Sequence, residues 1–551
     1  MKIKTVLLGA AALAWLGGPA FAQAEQAAPA PKKHHHHEGS GIEDRLNRME
    51  KLIEEQQSEI RSLRAQVGQS GGTSGGASSA AAVSPPPAAQ PEVSAAQFEA
   101  LQNQVYEQTA AEKSQASVTI KKGRPTIATR DGKYSMSFIG LVQADGATFD
   151  KATVTGPKGT PVFDRSGMNF RRAQIGIQGN LDSDFGYKFV YDFGGAGGQE
   201  SGAESILTNT TPPVVAVNPS GARVQSAFIT YKGILDPFTF KIGAFPTPAN
   251  LADATGADDL LLNERASPAQ LSRGLDADDG RDGLGFQGNG DIWYLSTYLT
   301  TDTFGKGQIA GQEAFVGRAA VAPIQNADSN FNVHLGGNIG NVFHPEGVTA
   351  VSSSGSVIAP FYGVSFSDRP ELREWNQSWI NTGSINAKSA YSAGVEGAVS
   401  YGPFLLEGEN FWYGIDRRDP SAGQTNPNFS GWYLEGSWVM TGEPRPYNMA
   451  SAAFARPTPA HDFDPAHGEW GAWELAGRYS QSDLDYNVNS LVAADQVRGS
   501  EQDIFSAGVN FYPNYNLKFM FDWQSIDIKR PWTGAFDTKY NAFSLRSQVS
   551  L

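Results

Sequence analysis

The stretch NLKFMFDW, Asn516 to Trp523, alternates two kinds of side chain, and this alternation decides the fold. Leu517, Phe519, Phe521 and Trp523 take every second position, with Lys, Met and Asp between them. Successive side chains of a β-strand point to opposite faces, so a strand here has two faces made for different surroundings. Such a strand suits a wall between lipid and water.

The same two-residue period recurs from about Tyr134 to Leu551. About sixteen candidate strands begin near residues 134, 168, 184, 222, 236, 282, 291, 312, 329, 388, 402, 428, 469, 502, 515 and 538. Their connections are alternately long and short, as in outer-membrane barrels, whose periplasmic turns are short and external loops longer. One connection breaks this alternation, because Thr441 to His467 is long where a short turn is expected.

This rhythm predicts an all-β fold, a sixteen-stranded antiparallel transmembrane β-barrel with both ends of the barrel domain on the periplasmic side. A soluble β-sandwich also alternates. The number of strands, the loop rhythm, and aromatic residues such as Tyr512 and Trp523 near strand ends favour the barrel.

Composition excludes several other classes. Among the 551 residues, 40% are hydrophobic and 18% are charged, and beyond the N-terminus no apolar run is long enough for a spanning helix. The chain has no cysteine, so it forms no disulfide framework and no thiolate metal site. Its net charge of -14 argues against a nucleic-acid partner.

The N-terminal part differs in pattern from the rest. Lys2 and Lys4 precede an apolar run that ends at Ala20-Phe21-Ala22, which predicts a cleaved secretory signal; an uncleaved anchor is the alternative. Apolar residues at spacings of four and three over 42–67 predict an α-helical coiled coil, with a single amphipathic helix on a surface as the alternative. The predicted segments are a signal peptide (1–22), a low-complexity tether (23–41), the coiled coil (42–67), a flexible linker (68–93), a short helix (94–115) and the β-barrel (120–551).

No catalytic or metal motif stands out. His34 to His37 are open to three interpretations: a metal-binding tract, an expression tag or a solvated run. GLGFQG at 283–288 is followed by a strand rather than a helix, and DADDGRD at 276–282 lacks the EF-hand order. We therefore expect no enzyme activity, cofactor or bound metal.

Several stretches resemble the phosphate-selective porin O and P family over about residues 120 to 551. They are NFRRAQIGIQGNLDSDFGYKFVYDF, FKIGAFPTPANLADATGADDLLLNER, YGPFLLEGE, GWYLEGSWVMTGEPRPY, GAWELAGRYS and AGVNFYPNYNLKFMFDW, in this order. The resemblance implies a trimeric sixteen-stranded barrel, with external loops folded into the lumen and basic residues along an anion path. The chain departs from the family in ending on Leu551 rather than an aromatic residue.

Two groups of basic residues are candidates for this path. Alternate side chains of a strand face the bore, and this parity predicts five basic residues on the inward faces: Arg172, Lys188, Lys241, Arg478 and Lys518. The alternative is that these residues only solvate a wet lumen and pair with inward carboxylates: Asp192, Glu435, Glu474 and Asp522. The long loop between Pro246 and Asp282 adds three arginines, Arg265, Arg273 and Arg281, among eight acidic residues.

The sequence thus predicts a porin of the bacterial outer membrane, in contact with its lipid, for passive diffusion of small hydrophilic solutes. It is expected to prefer anions, with phosphate implied by the resemblance, and to form a homotrimer whose N-terminal segment is periplasmic. The alternatives are a general or weakly cation-selective porin, and a structural protein whose coiled coil braces the envelope against cell-wall material.

Overall fold

A computed structural model of the protein describes residues 99–100, 102–107, 115–151, 153–156, 161–163, 166–194, 205–207, 214–216, 223–304, 311–348, 361–374, 378–532 and 535–551. The predicted signal peptide, tether, coiled coil and linker lie outside these residues and stay predictions. Residues 99–100 and 102–107 are helical and fall within the segment for which a short helix is expected.

The described residues form mainly β-strands. They are β1 (Ala116–Lys121), β2 (Arg124–Thr129), β3 (Ser135–Phe149), β4 (Thr153–Thr155), β5 (Pro161–Phe163), β6 (Gly167–Leu181), β7 (Phe185–Asp192), β8 (Ser205–Leu207), β9 (Val214–Ala216), β10 (Arg223–Leu235), β11 (Phe238–Ala244), β12 (Arg281–Asn289), β13 (Trp293–Thr303), β14 (Glu313–Asn326), β15 (Phe331–His344), β16 (Gly347–Val348), β17 (Phe361–Val364), β18 (Ser367–Asp368), β19 (Ile380–Asn381), β20 (Ile385–Tyr401), β21 (Phe404–Arg417), β22 (Asn428–Val439), β23 (Tyr447–Asn448), β24 (Ala453–Phe454), β25 (Ala472–Tyr486), β26 (Val497–Asn514), β27 (Leu517–Lys529) and β28 (Thr538–Ser550). Two α-helices, α1 (Leu251–Ala254) and α2 (Ser267–Asp276), and a 3-10 helix (Ala493–Asp495) complete them.

Sixteen strands form a closed antiparallel barrel, which confirms the predicted architecture. In chain order they are β3, β6, β7, β10 to β15, β20, β21, β22 and β25 to β28, and each pairs with the next. The last strand, β28, pairs with β3 from Ala542 to Ser550, so every barrel strand has two neighbours. Closure matters in a membrane because lipid offers no hydrogen bonds to an open edge.

The predicted strand starts agree with the structure, and the largest difference is at β26, which begins at Val497 rather than near 502. The long and short connections alternate as expected. The exceptional connection is also present, and it occupies 440–471 between β22 and β25.

Residues 517–523 of the stretch NLKFMFDW lie in β27, and their side chains alternate between two faces as predicted. Lys518, Met520 and Asp522 point into the barrel and are no more than 2% exposed. Phe519 and Phe521 are each 43% exposed on the outer surface, where they meet lipid. The polar face therefore lines the bore and the apolar face surrounds the barrel.

A hairpin of β1 and β2, which the strand pattern did not predict, precedes the barrel. Its strand β2 pairs with the first residues of β3, so it extends the wall at the short-turn end. The hairpin is fixed there by Lys122, whose Nζ lies 4.0 Å from the ring centroid of Tyr515, and by Arg124, whose Nη2 donates to the Leu551 oxygen at 2.7 Å.

No helix of the described residues is long and apolar enough to cross a membrane. The described part of the chain also contains no cluster of three or more histidine, aspartate or glutamate side chains arranged to hold a metal ion.

Candidate pore-lining site

The loop between β11 and β12, residues 245–280, is folded into the bore and carries both α-helices. Asn250 starts α1, because its Oδ1 accepts a hydrogen bond from Asp253 N at 2.8 Å. Pro268 stands in the first turn of α2, where its missing N–H costs nothing. Leu251 and Leu271 are buried, so the helices pack tightly in the bore.

Wall residues of several strands hold this loop. Near the short-turn end, Lys518 Nζ donates to Leu260 O at 2.6 Å. At middle depth, Asn263 N donates to Asp522 Oδ2 at 2.7 Å. The hydroxyl of Tyr413 donates to the carbonyl of Pro268 at 2.6 Å. The loop thus reaches the short-turn end and turns back along the opposite wall.

The long connection 440–471 enters the bore from the short-turn end. The Arg318 guanidinium, on β14, donates to the carbonyls of Ser451 at 2.9 Å and Ala452 at 2.7 Å. On the other side, Arg445 Nε donates to Glu474 Oε1 on β25 at 2.7 Å. This segment therefore bridges from β14 to β25 across one side of the bore.

Together, the loop and segment 440–471 cover one half of the inner wall. Inward residues of β20 to β22 and β25 to β28 are buried, among them Glu409, Tyr433, Arg478, Asp522 and Arg546. Several inward residues of β6, β7, β10, β11 and β12 are instead half-buried: Gln178, Lys188, Thr230, Lys241 and Gln287. The open part of the bore therefore lies against this second half.

Lys188 and Lys241, two of the residues predicted to line the anion path, lie on this open half. Lys188 lies opposite Phe228 on β10, and Lys241 lies opposite Thr230 on the same strand. Lys241 Nζ is 4.3 Å from the Phe228 ring centroid and 4.1 Å from that of Phe245. Within the described ranges, neither ammonium forms an ion pair with a carboxylate, so neither has a fixed counter-ion in the wall.

Two of the predicted loop arginines bind mainly backbone carbonyls. Arg265 Nε donates to Ala252 O at 2.7 Å, and its Nη2 donates to Thr255 O at 3.0 Å. Arg281 Nη1 donates to Thr301 O at 2.8 Å. Both side chains are buried, and their role in selectivity stays a prediction.

The third loop arginine, Arg273, is surrounded by carboxylates. Its Nε donates to Asp253 Oδ1 at 2.6 Å, and its terminal nitrogens pair with Asp278 and Asp279. Burial disfavours a charged Asp279, yet the Arg273 guanidinium keeps the pKa of that carboxyl below its usual range. Three acidic residues of the loop are thus paired within the loop itself.

The remaining predicted residues have different partners. Arg478 pairs with Glu371 and, at 3.1 Å, with Glu435, one of the pairings considered for a merely solvated lumen. Arg172 donates to Gln143 Oε1 at 2.7 Å. The predicted residues therefore do not form one continuous group.

Sequence reasoning missed several buried arginines. Gln143 pairs with Arg172 and the next residue of β3 with Phe170, so Arg171 is an extra residue in a β-bulge. It turns inward against strict parity, and its Nε donates to Glu264 Oε1 at 2.7 Å. Parity also places Arg318, on β14, and Arg546, on β28, on the inner face, so alternation alone was enough to find these two. Arg373, Arg445 and Arg456 lie in connections, where sequence gives no parity signal.

A family model described as phosphate-selective porin O and P matches residues 142–550 of this chain. Porin O of Pseudomonas aeruginosa is 25% identical over 415 residues, which cover 73% of this chain and 85% of that protein. An anion-selective porin from Comamonas acidovorans has 10% identity and a TM-score of 0.41, covering 76% of this chain and 100% of that one. A loop-deletion mutant of OmpT from Vibrio cholerae has 9% identity, a TM-score of 0.42 and the same two coverages.

Proposed function

This chain belongs to the phosphate-selective porin O and P family, and from this premise we propose that it is an anion-preferring diffusion channel. It is an outer-membrane porin, with a closed barrel whose outer face is apolar and whose inner face is polar. Ions cross by diffusion through the half of the bore that the loop and segment 440–471 leave open.

Lys188 and Lys241 carry the proposal for anions. They are half-buried on the wall of the open half, and neither forms an ion pair within the described residues. Many other charges of the bore are already compensated, for example Arg478 by Glu435. An ammonium beside a narrow, partly dry passage attracts an anion more strongly than one at the screened rim.

The proposed solutes are small oxyanions of the phosphate type. A passing anion gives up part of its hydration shell, and amino or guanidinium groups along the wall replace it. The identity of the solute rests on the family and on the relative named Porin O, whereas the two lysines support only the sign of the charge.

Assembly and orientation are also proposals. Both ends of the barrel lie on the short-turn side, which is periplasmic in outer-membrane barrels, so residues 23–115 are placed in the periplasm. The heptads of 42–67 support a homotrimer with a three-stranded coiled coil. Contact of this segment with cell-wall material would be a second role beside the channel.

The reversal potential in a potassium chloride gradient tests the proposal. We expect chloride to be preferred over potassium by the full-length protein in planar bilayers. Replacing Lys188 and Lys241 together by Gln removes the two uncompensated charges and lowers the chloride preference. The matched control is Lys133→Gln, which removes a 51% exposed lysine paired with Asp182 at the short-turn end and leaves the preference unchanged.

A wild-type pore that prefers potassium would contradict the proposal and favour a general or weakly cation-selective porin. Unchanged selectivity in the double variant would place the selectivity on other residues, with the loop arginines the next to be replaced.

A further inference from the structure

Asp258 is the loop carboxylate that this inference concerns. Its side chain is 32% exposed, whereas that of Asp253 in the same loop is 3% exposed. Its backbone is fixed near the short-turn end, because Gln548 Nε2 donates to Asp258 O at 3.0 Å. Gln143 Nε2 also donates to the carbonyl of Ala257 at 3.1 Å. The carboxylate therefore has a defined place beside the bore.

The charge of Asp258 reaches the open half of the bore. Its side chain belongs to a run of half-buried residues, 256–259, that borders the open space, as Lys188 does from the wall. An uncompensated carboxylate here would repel anions and attract cations in the same bore in which Lys188 does the opposite.

Arg456 compensates this carboxylate. Its Nη1 pairs with Asp258 Oδ2 and lies 3.6 Å from Asp259 Oδ1, to which its backbone N–H donates at 3.1 Å. The guanidinium carbon lies 4.7 Å from the ring centroid of Tyr515, and the side chain is only 6% exposed. Arg456 belongs to segment 440–471, so the counter-ion comes from the opposite end of the barrel to the loop that it neutralises.

We infer that Arg456 is a selectivity-determining residue, which cancels the charge of Asp258 and so keeps the passage past Lys188 favourable to anions. The inference rests on the proposed anion preference and adds to it a specific pair of residues. It also assigns a function to segment 440–471, whose length breaks the loop rhythm of the barrel.

A purely structural role for Arg456 makes a different prediction. If the residue only holds the loop in place, its loss changes the conductance or its noise. Neutralising Asp258 as well would then restore nothing, because the missing contacts would still be missing. If charge compensation is the function, removing both charges restores selectivity.

The test compares four full-length proteins in planar bilayers with a potassium chloride gradient: wild type, Arg456→Gln, Asp258→Asn and the double variant. We expect Arg456→Gln to lower the chloride-to-potassium permeability ratio roughly threefold, because an unpaired carboxylate beside the bore repels chloride and attracts potassium. The double variant should return the ratio at least to the wild-type value. Asp258→Asn alone should raise it.

The matched control is Lys539→Gln, which leaves Asp527 without its ion-pair partner at the long-loop end, where the two side chains are 66% and 31% exposed. Its permeability ratio should equal that of wild type. An unchanged ratio in Arg456→Gln, or a double variant as low as the single one, overturns the inference. If Arg456→Gln does not fold, the nearly isosteric Asp258→Asn decides, and an unchanged ratio there overturns it too.

The two proposals fail in different ways. A cation-selective wild type contradicts the anion preference. The role of Arg456 is instead tested by the change in the chloride-to-potassium permeability ratio from one variant to another.

Discussion

At the residue scale, Arg273 joins three carboxylates of the loop in the bore. Its guanidinium binds Asp253, Asp278 and Asp279, and its side chain is 7% exposed. Removing one partner of a buried ionic group leaves the others without compensation, which typically costs about 3–5 kcal/mol. We expect Arg273→Ala to loosen the loop, so that protease cleaves the native protein within 245–280.

The control for this variant is Lys529→Ala. Its lysine is 43% exposed and pairs with Glu501 and Asp503 near the long-loop end. Exposed pairs contribute little, about 1 kcal/mol or less, so this variant should resist the protease like wild type. Equal resistance of Arg273→Ala would show that the loop is held by its wall contacts alone.

Parity could predict which strand residues face the bore, but not which charges remain free there. Lys188 and Lys241 were found because they lie on regular strands. Arg171 was missed because a β-bulge adds one residue to β6 and turns the side chain inward. The partners of Arg273 and Arg456 depend on how two connections fold in the bore, which no periodicity records.

At the scale of elements, segment 440–471 acts as a partial plug. It is held by Arg318 on β14 and by Glu474 on β25, and it meets the loop through Arg456. Replacing 441–470 by a short turn should widen the short-turn end of the bore and increase the single-channel conductance. It should also lower ion selectivity, because Asp258 loses its counter-ion.

Shortening the connection 418–427 is the control for this deletion, since it joins β21 and β22 at the opposite end, beyond the strands. Its conductance should match that of wild type. A plug deletion with wild-type conductance would mean that the loop 245–280 alone limits the flow.

The strands themselves were predictable because each crosses the same boundary between lipid and water and repeats the same pattern. The hairpin of β1 and β2 was not predictable in this way. Its exposed strand β1, with Val118 and Ile120 each 70% exposed, lies outside that boundary and has no inward face. The boundary between lipid and water, rather than strand propensity, makes the barrel strands predictable from the sequence.

At the scale of the whole molecule, we expect the predicted coiled coil to set how many barrels assemble. Three copies of 42–67 would meet on the periplasmic side, with Gln56 as a polar layer that fixes their register. We expect chemical crosslinking of the full-length protein to give trimers through this segment. Deleting 42–67 should weaken the crosslinks and leave the conductance of each pore unchanged.

Only monomers in the crosslinking of the full-length protein at high concentration would contradict the trimer. Loss of cell-wall binding without a change in conductance would instead support a bracing role for the same segment.

The pairing of β28 with β3 also constrains how the protein is made. The ribosome delivers β3 early and β28 only after the other barrel strands, yet the two must lie side by side, with Leu551 N donating to Gly140 O at 2.8 Å. Until Thr538–Ser550 has been synthesised, residues Leu141–Phe149 of β3 have no strand partner on one edge. The barrel therefore cannot close during translation, and a premature stop codon before this strand leaves a chain with two open edges rather than a smaller pore.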